Sequence, residues 1–88
     1  MQQRQVKIVN RLGLHARPAV KLVSLCSKYV SSVVLVVNGR RAEGRRLIAI
    51  LLLSAQMGTQ ISIQVQGPDE MEAIEAVTRL ISNGFGEA

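Results

Sequence analysis

Aromatic side chains are nearly missing from this 88-residue chain, which has one tyrosine, one phenylalanine and no tryptophan. Its hydrophobic content of 48% is therefore mostly aliphatic. That fraction is typical of a globular domain and too high for a disordered chain. Proteins that bind single-stranded nucleic acids generally stack bases on aromatic side chains, so the scarcity of aromatics argues against that class.

Cysteine and histidine are equally scarce, since Cys26 and His15 are the only residues of each type. A lone cysteine has no partner for an internal disulfide, which fits a reducing compartment, and we expect a cytoplasmic protein. One cysteine and one histidine are too few for a zinc site built by this chain alone. We therefore expect no metal and no cofactor.

Long hydrophobic runs are also missing. The longest covers seven residues, 47–53, whereas a membrane-spanning helix needs about 20. The start of the chain, MQQR, leads directly into strand-like sequence and lacks the pattern of a signal peptide. We predict a single domain over residues 1–88 with no membrane insertion.

Positive charge is concentrated in one half of the chain. Residues 1–46 contain ten lysines and arginines against Glu43 alone, a balance of +9, while residues 47–88 contain Arg79 against five acidic residues, a balance of −4. The two balances add to the net charge of +5. A basic half suits an acidic partner, such as a nucleic acid or an acidic protein surface, although a merely solvated surface is the alternative.

Four strands are predicted from the pattern of apolar residues. Polar and apolar residues alternate over residues 3–9 and 60–66, and a β-branched run covers residues 32–37. The dipeptide Asn38-Gly39 is typical of a two-residue hairpin turn, so residues 40–43 are predicted to return as a short strand.

Three helices are predicted at residues 16–27, 46–54 and 70–82. Asp69 is the predicted N-cap of the last helix, and Gly84 lies just past its end. The predicted apolar faces are Ala19, Leu22, Val23 and Cys26 in the first helix, and Met71, Ile74, Val77, Thr78 and Ile81 in the last. The order β-α-β-β-α-β-α predicts an α+β fold with a four-stranded antiparallel sheet and three helices on one face.

The only histidine, His15, lies in the stretch GLHARPA, where a predicted strand gives way to a predicted helix. Gly13 gives the turn backbone freedom, and Pro18 suits the first helical turn because it has no N–H group. The backbone N–H groups of Ala16 and Arg17 are then unpaired at the positive end of the helix dipole. Such a helix end favours an anion.

An imidazole at this position has the properties of a phosphoryl acceptor. The positive helix end disfavours a positive charge on the ring, so we expect a neutral, nucleophilic nitrogen. Arg17 adds a planar guanidinium that suits phosphate oxygens. We predict that His15 accepts a phosphoryl group, with Arg17 and the N–H groups of Ala16 and Arg17 stabilising it in a shallow, exposed site. The alternative is a surface histidine or helix cap without a chemical role.

The stretch GLHARPA, followed by Asn38-Gly39, the run RLIAILLL and the turn GPDE, resembles the HPr family. HPr proteins are the histidine phosphocarriers of the phosphoenolpyruvate-dependent phosphotransferase system. The likeness extends over essentially the whole chain. It implies an open-faced β-sandwich with the element order predicted above.

The resemblance also implies the partners. His15 would take a phosphoryl group on Nδ1 from phosphorylated Enzyme I and pass it to an enzyme IIA-type protein. Such a carrier is not itself an enzyme, because its partners share the catalysis of each transfer. Arg17 matches the phosphate-stabilising arginine of the family. We expect a monomer.

Docking residues follow from the same resemblance. Leu47, Ile48 and Leu51 match the apolar patch that lies beside the histidine in the family. The run of residues 47–53 is apolar on every side of a short helix, so one side is left over after the core is filled. Arg45 and Arg46, from the basic half, are predicted to assist docking on acidic partners.

Arg46 marks a departure from part of the family. Many HPr proteins of Gram-positive bacteria have a regulatory serine at this position, and because arginine accepts no phosphate there, we predict that this regulation is absent. The run IAILLL and the GPDE turn look closer to the nitrogen-related branch, NPr, than to the sugar branch, and both branches stay open. Two other hypotheses remain: a small basic nucleic-acid-binding module, and a regulatory domain in which His15 is incidental.

Overall fold

The computed structural model describes residues 1–87. The strands are β1 (Gln2–Lys7), β2 (Ser32–Val37), β3 (Arg40–Glu43) and β4 (Gln60–Gln66). The helices are α1 (Ala16–Cys26), α2 (Leu47–Leu52) and α3 (Glu70–Ser82), and a short 3-10 turn covers Gly84–Gly86. The element order is the predicted one, apart from the 3-10 turn that ends it.

The four strands form one antiparallel sheet in the order β1-β4-β2-β3. In this register Ile63 lies beside Leu35, which in turn lies beside Ala42 of β3. All three side chains are buried. The alternation of the strands therefore gives the sheet one apolar face, which the helices cover. The predicted open-faced β-sandwich is confirmed.

The first predicted strand continues past β1 as a partly paired segment. The backbone of Ile8 donates to Thr59 O over 2.9 Å and accepts from Gly58 N over 2.8 Å. Ile8 is fully buried, whereas Val9 is half exposed at 51%. The chain thus leaves the sheet edge close to residue 9, where the turn that leads to the histidine begins.

The helices bury the predicted faces with one exception. In α1 the buried residues include Ala19, Leu22 and Cys26, and Val23 is half-buried. In α3, Met71 was predicted to lie on the apolar face, and that prediction is wrong, because Met71 is 52% exposed. Ala73 fills the inner position instead, together with Ile74, Val77 and Ile81.

Helix α2 is shorter than the predicted range of residues 46–54. Arg46 is its N-cap, with extended backbone angles. At the other end, Leu53 N and Ser54 N bond to carbonyls three residues back, which tightens the last turn. Ser54 then adopts a φ of 53°, in the left-handed region that ends a helix.

Asp69 occupies the N-cap position of α3, but its carboxylate does not cap the helix. The two carboxylate oxygens accept from Val30 N and Ser31 N, each over 2.9 Å, and one of them also accepts from Ser31 Oγ. Arg45 donates to Tyr29 O and Ser31 O in the same segment. Asp69 and Arg45 thus fix the loop between α1 and β2.

Candidate functional site

The turn before α1 is built so that His15 occupies the N-cap of the helix. Gly13 adopts a φ of 67°, and a Cβ atom there would lie 2.8 Å from Gln56 Cα. Leu14 N donates to Ala55 O over 2.8 Å, which ties the turn to the segment that precedes β4. The side chain of His15 is 36% exposed, so the ring is open to solvent as predicted.

The predicted free N–H groups are present at this helix end. Ala19 N makes the first intrahelical bond, to His15 O over 3.0 Å. Pro18 has no N–H group, and within residues 1–87 the N–H groups of Ala16 and Arg17 form no hydrogen bond. His15 makes no side-chain cap bond. Two backbone donors at the positive end of the helix are therefore available to an anion.

Glu87 is the residue of the site that the sequence did not reveal. Its Oε1 lies 3.1 Å from His15 Nε2. Asn10 Nδ2 donates to the same oxygen over 3.2 Å and to Gly13 O over 2.9 Å. The hydrogen bond with His15 lowers the pKa of Glu87, and the bond from Asn10 and the charge of Lys21 act in the same direction, while partial desolvation opposes them.

The position of Glu87 is set by the preceding turn. Phe85 is only 1% exposed and adopts a φ of 58°, so its ring enters the core while the backbone reverses. Lys21 Nζ donates to Phe85 O over 2.7 Å. The last described residues are thereby held against α1, and Glu87 meets His15 across 72 positions of sequence.

These residues line an open depression of about 830 Å³. Its walls include the cations Arg11, Arg17 and Lys21 and the carboxylate of Glu87. Three positive charges and two free N–H groups around one imidazole favour a phosphoryl group, which has a double negative charge.

The predicted docking residues differ in exposure. Ile48 is 72% exposed and Leu47 is 37% exposed, whereas Leu51 is partly buried against the core. Leu52, which the sequence did not single out, is 65% exposed. Leu12, another residue that the sequence analysis missed, is 71% exposed and lines the depression beside His15.

The two predicted docking arginines lie in different surroundings. The side chain of Arg46 is 71% exposed, and its Nη1 atom lies 3.8 Å from Oε2 of Glu43. Arg45 instead directs its guanidinium to the carbonyls of Cys26, Tyr29 and Ser31. Its docking role stays a prediction. The hydrogen bonds that its guanidinium makes within the chain go to the end of α1 and to the loop that follows.

Two further features bear on function. Among residues 1–87, no group of three or more histidine, cysteine or acidic side chains is placed to hold a metal ion. No helix in that part of the chain is both long and apolar enough to cross a bilayer.

Comparison with known proteins identifies one family of relatives. The family described as "PTS HPr component phosphorylation site" matches residues 2–83. The chain is 41% identical over 87 residues to phosphocarrier protein HPr of Cupriavidus necator, covering 99% of this chain and 98% of that protein. It is 45% identical over 87 residues to phosphocarrier protein NPr of Proteus mirabilis, covering 98% and 97%.

A solved structure of HPr from Thermoanaerobacter tengcongensis shares the fold, with a TM-score of 0.95 at 33% identity over 100% of this chain and 99% of that one. None of these matches supports a nucleic-acid-binding module. The relatives are phosphocarriers rather than enzymes. The chain belongs to the HPr family, the phosphocarrier proteins of the phosphotransferase system.

Proposed function

We propose that His15 accepts a phosphoryl group on Nδ1 from phosphorylated Enzyme I and passes it to an enzyme IIA-type protein. The observation that carries the proposal is the exposed ring at a helix end with two free N–H groups. Because Nε2 is bonded to Glu87, Nδ1 is the nitrogen left for the phosphoryl group. A bound phosphoryl group would meet the N–H groups of Ala16 and Arg17 and the guanidinium of Arg17.

The direct test is phosphorylation in vitro with phosphoenolpyruvate and Enzyme I, followed by intact mass. We expect one acid-labile phosphoryl group on the wild-type protein and none on His15→Ala. Arg17→Ala should accept the group at least about tenfold more slowly, because a charge-assisted hydrogen bond to the transferring phosphoryl is lost. Arg4→Ala removes an exposed cation from β1 and serves as the matched control. Label that persists in His15→Ala would overturn the proposal.

We also propose that partners dock on the apolar surface beside the histidine, formed by Leu47, Ile48 and Leu51, with Arg45 and Arg46 at its edge. The 72% exposure of Ile48 and the 37% exposure of Leu47 support this role, since adjacent exposed apolar side chains mark contact surfaces. Ile48→Asp should raise the KM of Enzyme I for this protein as its substrate and leave kcat nearly unchanged. Met71→Asp, at a 52% exposed apolar residue of α3, is the control. Equal effects of both variants would contradict the docking role.

The branch of the system is decided by the acceptor. Relatives with either name, HPr or NPr, match nearly the whole chain. Transfer from the phosphorylated protein to a sugar-type and to a nitrogen-type IIA protein should therefore be timed side by side. The faster acceptor assigns the branch, and transfer to neither would overturn the proposed IIA step. The protein is proposed to be cytoplasmic and to work as a monomer. Sedimentation of the purified chain would test the monomeric state.

A further inference from the structure

The backbone N–H groups around the turn before α1 fall into two sets. Gly13 N donates to Asn10 O over 3.2 Å, and His15 N donates to Gly13 O over 2.9 Å. The N–H group between them, that of Leu14, is bonded to the segment before β4. The next two N–H groups, at residues 16 and 17, form no hydrogen bond within residues 1–87. The turn therefore pairs its own donors and leaves the following two for a ligand.

Asn10 maintains this division because it holds both polar backbone groups of Gly13. Its backbone O accepts from Gly13 N, and its side-chain Nδ2 donates to Gly13 O over 2.9 Å. Gly13 O thus accepts two hydrogen bonds, one from Asn10 Nδ2 and one from His15 N, which uses both lone pairs of the oxygen. The backbone of the N-cap histidine is therefore tied to Asn10 through a single carbonyl group.

The side chain of Asn10 is fixed in one orientation. Asn10 is 1% exposed, and the 3-10 turn packs on it, since a Cβ atom at Gly84 would lie 3.5 Å from Asn10 Cβ. The two partners of its amide group, Gly13 O and Glu87 Oε1, are acceptors, so the nitrogen must face them. Asn10 Oδ1 is buried and has no partner within residues 1–87. A side chain that only filled space would not carry the cost of that buried oxygen.

We propose that Asn10 is a positioning residue for phosphoryl transfer, which holds the turn so that the N–H groups of Ala16 and Arg17 stay directed to the phosphoryl group on His15. This inference rests on the proposed function of His15. Donors that are fixed beforehand stabilise a transferring group because they need no rearrangement during the reaction. Without the amide of Asn10, Gly13 O loses one of its two donors and the turn is free to move.

Asn10 takes no part in the bond changes of the transfer. The lone pair of His15 Nδ1 attacks phosphorus, and the bond between phosphorus and the donor group of Enzyme I breaks, with its electron pair returning to the donor. The hydrogen on the other ring nitrogen stays in place. Asn10 exchanges neither a proton nor an electron pair, and its effect on the rate passes through Gly13 O.

The test uses Asn10→Ala and Asn10→Asp. Alanine removes both side-chain hydrogen bonds. Aspartate keeps the size of the side chain, but its ionised carboxylate only accepts hydrogen bonds and cannot donate to Gly13 O. The stability control is Val77→Ala, which shortens a fully buried side chain of α3 outside the site and should lower Tm.

Rapid-quench kinetics at saturating phosphorylated Enzyme I, well below the Tm of every variant, report the transfer rate. We expect both Asn10 variants to accept the phosphoryl group about three- to tenfold more slowly than the wild type, because an uncharged hydrogen bond no longer holds the turn. Val77→Ala should accept the group at the wild-type rate in spite of its lower Tm.

A second background isolates the bond to Gly13, because Asn10 also donates to Glu87. In the Glu87→Ala protein that bond is already lost. Adding Asn10→Ala there should slow transfer by the same factor as in the wild-type background.

Amide hydrogen exchange of the wild-type protein tests the division of N–H groups without any variant. The N–H groups of residues 13–15 should be protected from exchange, and those of residues 16 and 17 should not. Phosphorylation should then protect residues 16 and 17, because their N–H groups bond to the phosphoryl oxygens.

The outcomes separate this inference from the proposed function. A wild-type transfer rate in either Asn10 variant, or a loss no larger than that of Val77→Ala, would overturn the role of Asn10 while phosphorylation of His15 stands. So would the absence of an effect of Asn10→Ala in the Glu87→Ala background, or an N–H group of His15 that exchanges as readily as that of Ala16. Phosphorylation of a residue other than His15 would overturn both proposals.

Discussion

The turn that presents the histidine depends on Gly13 for two separate reasons. Its φ of 67° lies in the region that disfavours side chains, and a Cβ atom would lie 2.8 Å from Gln56 Cα and 3.2 Å from Ala55 C. Both of these neighbours are backbone atoms, so the segment must shift to admit a methyl group. That shift disturbs the hydrogen bond between Leu14 N and Ala55 O.

The hairpin glycine, Gly39, is a matched control for this effect. Its φ is 81°, but a Cβ atom there would have no neighbour within 4 Å. Gly39→Ala should therefore cost only the conformational term, about 1–2 kcal/mol. Gly13→Ala adds the disturbed hydrogen bond and the displaced backbone, for a total of about 2–3 kcal/mol.

Thermal unfolding followed by circular dichroism measures both variants. At roughly 4–8 °C per kcal/mol for a chain of this size, Gly13→Ala should lower Tm by roughly 10–20 °C and Gly39→Ala by roughly half as much. Gly13→Ala should also slow phosphorylation, because the turn that places His15 has moved, whereas Gly39→Ala should not. Equal losses of Tm in the two variants would refute the packing argument for Gly13.

Three further predictions concern the core, a loop and acid stability. Ile50→Ala should lower the free energy of unfolding by about 2–5 kcal/mol because Ile50 is fully buried, whereas Ile48→Ala should change it little; urea unfolding checks both. By the same assay, Arg45→Ala should lower the free energy of unfolding by roughly 1–2 kcal/mol, because its guanidinium donates to backbone carbonyls. Arg46→Ala should lower it by under about 0.5 kcal/mol, because its ion pair is exposed. Equal losses in the two variants would contradict this reasoning. Hydrogen bonds from Ser31 and Val30 lower the pKa of Asp69. The ionised carboxylate therefore stabilises the fold fully above the ordinary aspartate pKa of about 3.9, and this stabilisation is lost as the pH falls through the lowered pKa of the folded state. Asp69→Asn should flatten this part of the curve of unfolding free energy against pH.

Local patterns were sufficient to predict most of the fold. Alternation in β4 and the Asn38-Gly39 turn each depend on residues that are neighbours in sequence, and both predictions agree with the structure. The ends of α2 were less predictable, because the apolar run of residues 47–53 continues past Leu52, where the helix ends, to the residue before Ser54, whose backbone adopts the left-handed conformation. Periodicity has no information about where such a turn falls.

The site was predictable only where its parts are adjacent in sequence. His15, Ala16 and Arg17 follow one another, so the helix end could be inferred from the Gly and Pro on either side. Glu87 lies 72 positions away from His15 and reaches it through a tertiary contact. The available signal was the phenylalanine between two glycines near the end of the chain, which indicates a turn anchored in the core.

Asp69 shows the same limitation. Its position before α3 predicts a helix cap, and local spacing supports that role. The carboxylate instead bonds to Val30 N and Ser31 N, which tertiary folding brings beside it. The carboxylate therefore bonds to two backbone N–H groups of another segment instead of to those of its own helix. A prediction from neighbouring residues cannot include donors that only the tertiary fold brings close.

The most direct measurement is NMR of the ¹⁵N-labelled protein after phosphorylation by Enzyme I and phosphoenolpyruvate. The account predicts one phosphoryl group with a one-bond ³¹P–¹⁵N coupling to Nδ1 of His15. A coupling to Nε2, or a phosphoryl group on any other residue, would contradict it.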